Sequence, residues 1–136
     1  MLQVYSSNLD VAAGAAFPFN NVTVDKGCAE RLSAPATIEL NARGVYLIEV
    51  DGFATGVAAG ADTVQLFVNG LAYPQAITSF TTEAATITNF SFKTFVQVVG
   101  NNCNCNLVSS PTVLQFVNGE QELTEAHINV VVTKIR

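Results

Sequence analysis

The chain reads as an all-β protein of about ten short strands, a two-sheet antiparallel sandwich or jelly roll. Three observations point there. Val, Ile, Thr and Phe are frequent whereas Trp is absent, a usage that favours pleated, half-buried surfaces. Short apolar runs are punctuated throughout by Gly, Asn, Asp and Pro. No window carries a sustained 3.6-residue repeat, and the nearest, "EQELTEAH", reads as a polar connection with one turn at most.

The strands are expected near residues 2–6, 15–24, 28–33, 36–41, 44–55, 62–69, 71–78, 86–99, 111–118 and 126–135. Two show clean alternation. In "TITNFSFKTFVQVV", Phe90, Phe92, Val96 and Val98 share a face opposite Asn89, Ser91, Lys93 and Gln97. In "AHINVVVTKI", Ile128, Val130 and Val132 oppose His127, Asn129 and Thr133. Phe95, Val99, Val131 and Ile135 break the polar faces. A strand apolar on both sides needs cover on both, from a second sheet and from a neighbouring subunit. Asn69-Gly70 and Asn118-Gly119 each close an apolar run and are expected to turn hairpins, since Asn-Gly tolerates positive φ. "SAPA" (33–36) and "LNARG" (40–44) are further turns.

Composition bounds the function. At 136 residues the chain holds one ordinary domain. Hydrophobic residues make up 49%, but only 12% are charged, about half the usual roughly 25%. Mean hydropathy is +0.35, so a core can form, while few charges remain to solvate a monomer's surface. Burial of part of that surface in an oligomer follows. The net charge of −5 and the six scattered Lys and Arg form no basic stripe and argue against a nucleic-acid partner. The start, "MLQVYSSNLDVAAGAAF", lacks the charged and apolar parts of a signal peptide. No apolar run reaches the roughly 18 residues of a membrane span. The expectation is a complete small gene product made in a cytoplasm, with no membrane partner.

Catalytic patterns are thin. His127 is the sole histidine, and a strand position suits an ordinary sheet residue better than a triad base. Glu120, Glu122 and Glu125 read as a solvated acidic connection rather than an acid–base pair. "GVAAGAD" (56–62) joins two strands and precedes no helix that could cradle phosphate. Asp10, Asp25, Asp51 and Asp62 are isolated and match no calcium loop. Asn21-Val22-Thr23 and Asn89-Phe90-Ser91 match a glycosylation pattern but fall in expected strands. No active site, cofactor site or metal site is expected.

The cysteines leave more open. Cys103 and Cys105 stand one residue apart in "GNNCNCN", and Cys28 lies far upstream. A structural zinc wants four ligands, usually with Cys pairs at C-x₂₋₄-C, so three thiols fall short unless another subunit contributes. Three free thiols and a disulfide staple both remain.

At this point the sequence resembles a family, the C1q/TNF-like jelly roll in its short bacterial and bacteriophage form. The resemblance runs from about Ala15 to Ile135. Its parts are "AAFPFNNV", "ATIELNARGVYLIEVDGFA" with Tyr46 opening a strand after Gly44, "DTVQLFVNGLAYPQA", and the closing "AHINVVVTKI". It implies a compact homotrimer. There is no Gly-X-Y stalk, and with Met1 close to the domain the resemblance implies a standalone virion component.

Several expectations follow from the resemblance. Residues 1–14 would form an N-terminal strand or anchor segment and 15–136 the jelly-roll domain. The chain would be a non-enzymatic structural protein of a bacteriophage virion, made in the host cytoplasm, as a capsid decoration or head-fibre-like component contacting other virion proteins. The alternative is a module that binds a host-surface glycan or protein. The resembled topology also places Cys28 at the end of the sandwich that carries "GNNCNCN", so a disulfide from Cys28 to Cys103 or Cys105 is implied.

Overall fold

In the computed structural model, which describes residues 1–99 and 107–136, ten strands form two five-stranded sheets. They are β1 (Leu2–Val11), β2 (Asn21–Asp25), β3 (Glu30–Ala34), β4 (Thr37–Ala42) and β5 (Gly44–Gly56). β6 (Gly60–Val68), β7 (Leu71–Thr82), β8 (Ile87–Val98), β9 (Leu107–Asn118) and β10 (Leu123–Lys134) complete the chain. The first sheet runs β2-β1-β10-β5-β8 and the second β3-β4-β9-β6-β7. All pairings between these strands are antiparallel.

Alternation selects the core. Tyr46, Ile48 and Val50 of β5, Ile128, Val130 and Val132 of β10, and Leu2 and Val4 of β1 point inward from the first sheet. They meet Ile38, Leu40, Val64, Leu66, Leu114 and Phe116 of the second, all fully buried. Each such side chain contributes about 1.5–3 kcal/mol of hydrophobic stabilisation. The Tyr46 hydroxyl enters this core because it donates to the Ala42 carbonyl oxygen at 2.6 Å, which satisfies the polar group that burial would otherwise penalise. Gly44 precedes it for a steric reason: its φ is +154°, and a Cβ there would overlap the Arg136 carbonyl.

The stretch expected as one strand, 15–24, divides. Only Asn21–Asp25 forms a strand, paired with β1, while Ala16 makes an isolated bridge to Val117. Residues 15–20 pass between the sheets instead, with the Phe17 amide donating to the Phe116 carbonyl at 2.8 Å. Buried Ser6 of β1 then donates to the Pro18 carbonyl and accepts from the Asn20 amide, both at 2.8 Å. Phe17 and Phe19 fill the interior between these ties, Phe17 near Phe90 and Phe19 edge-on to Phe116. Pro18 has no amide to offer a strand ladder, so a tie to its carbonyl suits it.

Two bulges explain where the strand pattern was hard to read. In β1 the register shifts between Ser6 and Leu9, with Asn8 at φ +56°. In β10 it shifts between Thr124 and His127, with Glu125 at φ +47°. Each extra residue puts two successive side chains outside and then restores the inward phase at Leu9 and Ala126. "EQELTEAH", expected as a connection with a turn, is therefore largely the start of β10.

Residues 2–11 lie between β2 and β10 in the first sheet, with Leu2, Val4, Leu9 and Val11 buried. The segment 1–14 thus contributes a strand to the first sheet. Asn69-Gly70 forms the expected two-residue hairpin, with φ +52° and +80° and Val68 paired to Leu71. Asn118-Gly119 does not. Buried Asn118 ends β9, and its Nδ2 donates to the carbonyls of Ala12 at 3.2 Å and Gln121 at 2.7 Å, fastening the longer 119–122 connection.

Candidate interaction surface

The outward face of the first sheet collects the residues that broke the polar pattern. Register places them in rows. Phe95 pairs with Leu47 and Leu47 with Thr133; Lys93 pairs with Glu49, Glu49 with Val131 and Val131 with Gln3. One row further on, Ser91, Asp51, Asn129 and Tyr5 lie side by side, and then Asn89, Phe53 and His127. Phe95 is 57% exposed and Phe53 41%. A shallow cleft of about 420 Å³ between Leu47, Glu49, Lys93 and Phe95 roughens this face.

Polar groups on the face hold one another in place. Gln3 Nε2 donates to Asn129 Oδ1 at 3.0 Å, and Asn129 Nδ2 donates to Asp51 Oδ1 at 3.2 Å. His127 stacks on Phe53 with ring centroids 5.2 Å apart and planes 12° from parallel, and Tyr5 lies beside it at 6.2 Å. Ser7 Oγ sits 2.8 Å from His127 Nδ1. That pair was not legible in the sequence, because Ser7 and His127 lie 120 residues apart and meet only through the pairing of β1 with β10. Asp51 is engaged by Asn129 rather than by the imidazole, so this Ser–His contact is not ordered as a triad is. The arrangement presents a fixed aromatic and aliphatic surface with satisfied polar groups.

The other expected residues are dispersed. Glu120, Glu122 and Glu125 are exposed at the end of the molecule where β9 meets β10. Asp62 is buried beneath them, its Oδ1 accepting from the Thr63 amide at 2.8 Å and the Gln121 amide at 3.3 Å. Burial raises its carboxyl above the usual range, and those amides only partly offset the rise. Among the described residues no group of three His, Cys, Asp or Glu is arranged to hold a metal. Cys28 is exposed, next to Ala29, whose carbonyl accepts from the Asn41 amide. Cys103 and Cys105 lie outside the described residues.

With this geometry in hand, solved structures offer a comparison. The globular domain of a zebrafish complement 1qA protein matches with a TM-score of 0.68 at 11% identity, covering 99% of this chain and 96% of that one. A TNF from S. frugiperda, Eiger, matches with a TM-score of 0.63 at 11% identity, over 98% and 92%. The fold is C1q/TNF-like. The third comparison is the PRD1 vertex protein P5, with a TM-score of 0.58 and 20% identity over 99% of this C1q/TNF-like chain and 96% of the other. No protein-family model matches the sequence, and no curated protein does.

Proposed function

We propose that the chain is a non-enzymatic structural component of a bacteriophage particle, a homotrimeric capsid decoration or head-fibre-like protein. The observation that carries the reading is the outward face of the first sheet, where Phe53, Phe95, Leu47 and Val131 stand exposed or half-buried on a rigid surface. Leaving such side chains in water is unfavourable by about 25 cal/mol per Å² of apolar area, and a cyclic assembly of three copies covers them. The likeness to a vertex protein over nearly the whole chain supports the placement on a particle.

The N-terminal residues expected to anchor the protein keep that role in the proposal in a changed form. Since β1 is part of the sheet, only its exposed positions Ser7, Asn8 and Asp10 and the following turn at 12–14 are free to touch another virion protein. Mass spectrometry of purified particles tests the placement. The chain is expected at stoichiometric abundance after density-gradient purification. Its absence from particles, with recovery in the soluble lysate, refutes the virion reading.

A further inference from the structure

The sequence scatters its charges, but the fold sorts them by sign. β10 runs from Leu123 to Lys134, a span of roughly 36 Å at about 3.3 Å per residue. At the Leu123 end lie the exposed Asp10, Glu83, Glu120, Glu122 and Glu125, fixed there by the pairings of Val11 with Leu123 and of Gly56 with Ala84. Among the described residues no Lys or Arg stands at that end. At the Lys134 end lie Lys26, Arg43, Lys134 and Arg136, four of the six basic residues of the chain. The acids at that end are Asp25 and the buried Glu30, which pairs with the Met1 amino group. Arg31 and Lys93 sit mid-strand, Arg31 in an ion pair with Glu39 and Lys93 across from Glu49.

The basic end is also concave. Arg43, Lys134 and Arg136 line a cleft of about 590 Å³ together with Val45 and Val99, and Val99 is 72% exposed. The acidic end carries exposed aliphatics of its own, Val57 and Ile87. Cations mixed with aliphatics at one end thus match carboxylates mixed with aliphatics at the other. The poles are further apart than the roughly 10 Å Debye length at 0.1 M salt, so they do not cancel within a protomer.

We infer that the basic end of one copy docks on the acidic end of the next, stacking the protein head to tail along its strands. The contact is heterologous and its two surfaces face opposite ways along the strands, so repeating it advances along that axis and builds an open column rather than a closed ring. A single protomer suffices for it. In a cyclic trimer all like poles share one end, which multiplies a weak contact threefold.

Light scattering and sedimentation at rising protein concentration, at about 0.02 M and about 0.5 M salt, test this. At low salt the mass is expected to grow in steps of the unit found at high salt, and high salt is expected to abolish the growth. Lys134→Glu with Arg136→Glu, or Glu122→Lys with Glu125→Lys, is expected to weaken growth at least tenfold while leaving the circular dichroism spectrum unchanged. Mixing the two reversed proteins is expected to restore association. Growth that ignores salt or either reversal overturns the inference, and so does failure of the mixture. Absence of growth at low salt combined with tight binding of polyglutamate overturns it in favour of a separate acidic partner. The unit seen at high salt reports the trimer independently, so the two readings fail separately.

Discussion

Phe90 and Phe95 are five residues apart in β8 and have opposite uses. Phe90 is 4% exposed, stacks on Phe80 with centroids 5.6 Å apart, and lies near Phe17. Phe95 stands on the other face with more than half its surface in water. One strand therefore supplies both the protomer's core and its candidate contact surface. Inward residues should govern whether the chain folds, and outward residues should govern what the folded chain meets.

The largest expected effect is removal of residues 2–11. An anchor would be dispensable, but this segment is an internal strand, so the truncated chain should fail to give a cooperative melt. A folded, cooperatively melting product would return the segment to an anchor role. Next comes Phe90→Ala, expected to cost about 3–5 kcal/mol in denaturant unfolding. Phe95→Asp should cost under about 1 kcal/mol in the dissociated protomer, and a comparable loss at both positions would erase the distinction drawn here.

The cysteine link remains a proposal of similar size. The strands on either side of the undescribed residues end beside β5 and β4, with Val98 paired to Gly44 and Leu107 to Ala42. Cys28 lies at the same end. A bridge to Cys103 or Cys105 would contribute about 4 kcal/mol in the chain-entropy model. Non-reducing peptide mapping should show it after oxidation, with Cys28→Ser melting lower. Stoichiometric zinc whose chelation unfolds the protein would replace the disulfide reading.

Two smaller effects are read through pH. Burial pushes the Tyr46 hydroxyl up from 10.0 to about 12. The neutral form is favoured in the folded state, so its contribution is complete below about pH 10 and is lost as pH rises towards 12. That loss amounts to up to about 3 kcal/mol. Tyr46→Phe should cost about 1 kcal/mol at neutral pH and flatten the alkaline decline. An unchanged decline would show that other groups cause it. Asp62 has the same sign in the acid range: stability falls as pH rises from its unfolded value of 3.8 through its raised folded value. Asp62→Asn should therefore gain on the wild type between acid and neutral pH, as seen in paired melts, and a constant difference would contradict this.

The architecture was legible where the period of two ran unbroken, as in 87–98 and 127–134. It failed at the bulges, because one inserted residue inverts the apparent faces on one side of it relative to the other, and Leu9, Val11 and Leu123 then look misplaced. It failed again at 15–20, where Phe17 and Phe19 are apolar for a crossing between sheets rather than for a strand. The second Asn-Gly misled because Asn118 serves as a buried clamp through its side chain. The outward surface was half visible: Phe95, Val131 and Ile135 were conspicuous as apolar intrusions. Phe53, Tyr5 and Ser7 around His127 depend on pairings between strands more than 40 residues apart, and local patterning carries no record of those.

The central claim is that the outward face of the first sheet is covered by copies of the same chain. Sedimentation equilibrium at about 0.5 M salt, where end-to-end stacking is screened, measures it directly. The wild type should behave as a single species of about three times 14.4 kDa, and Phe95→Asp as a folded species of one chain. A wild type that stays at the mass of one chain at micromolar concentration, with Phe53 and Phe95 in water, would contradict it.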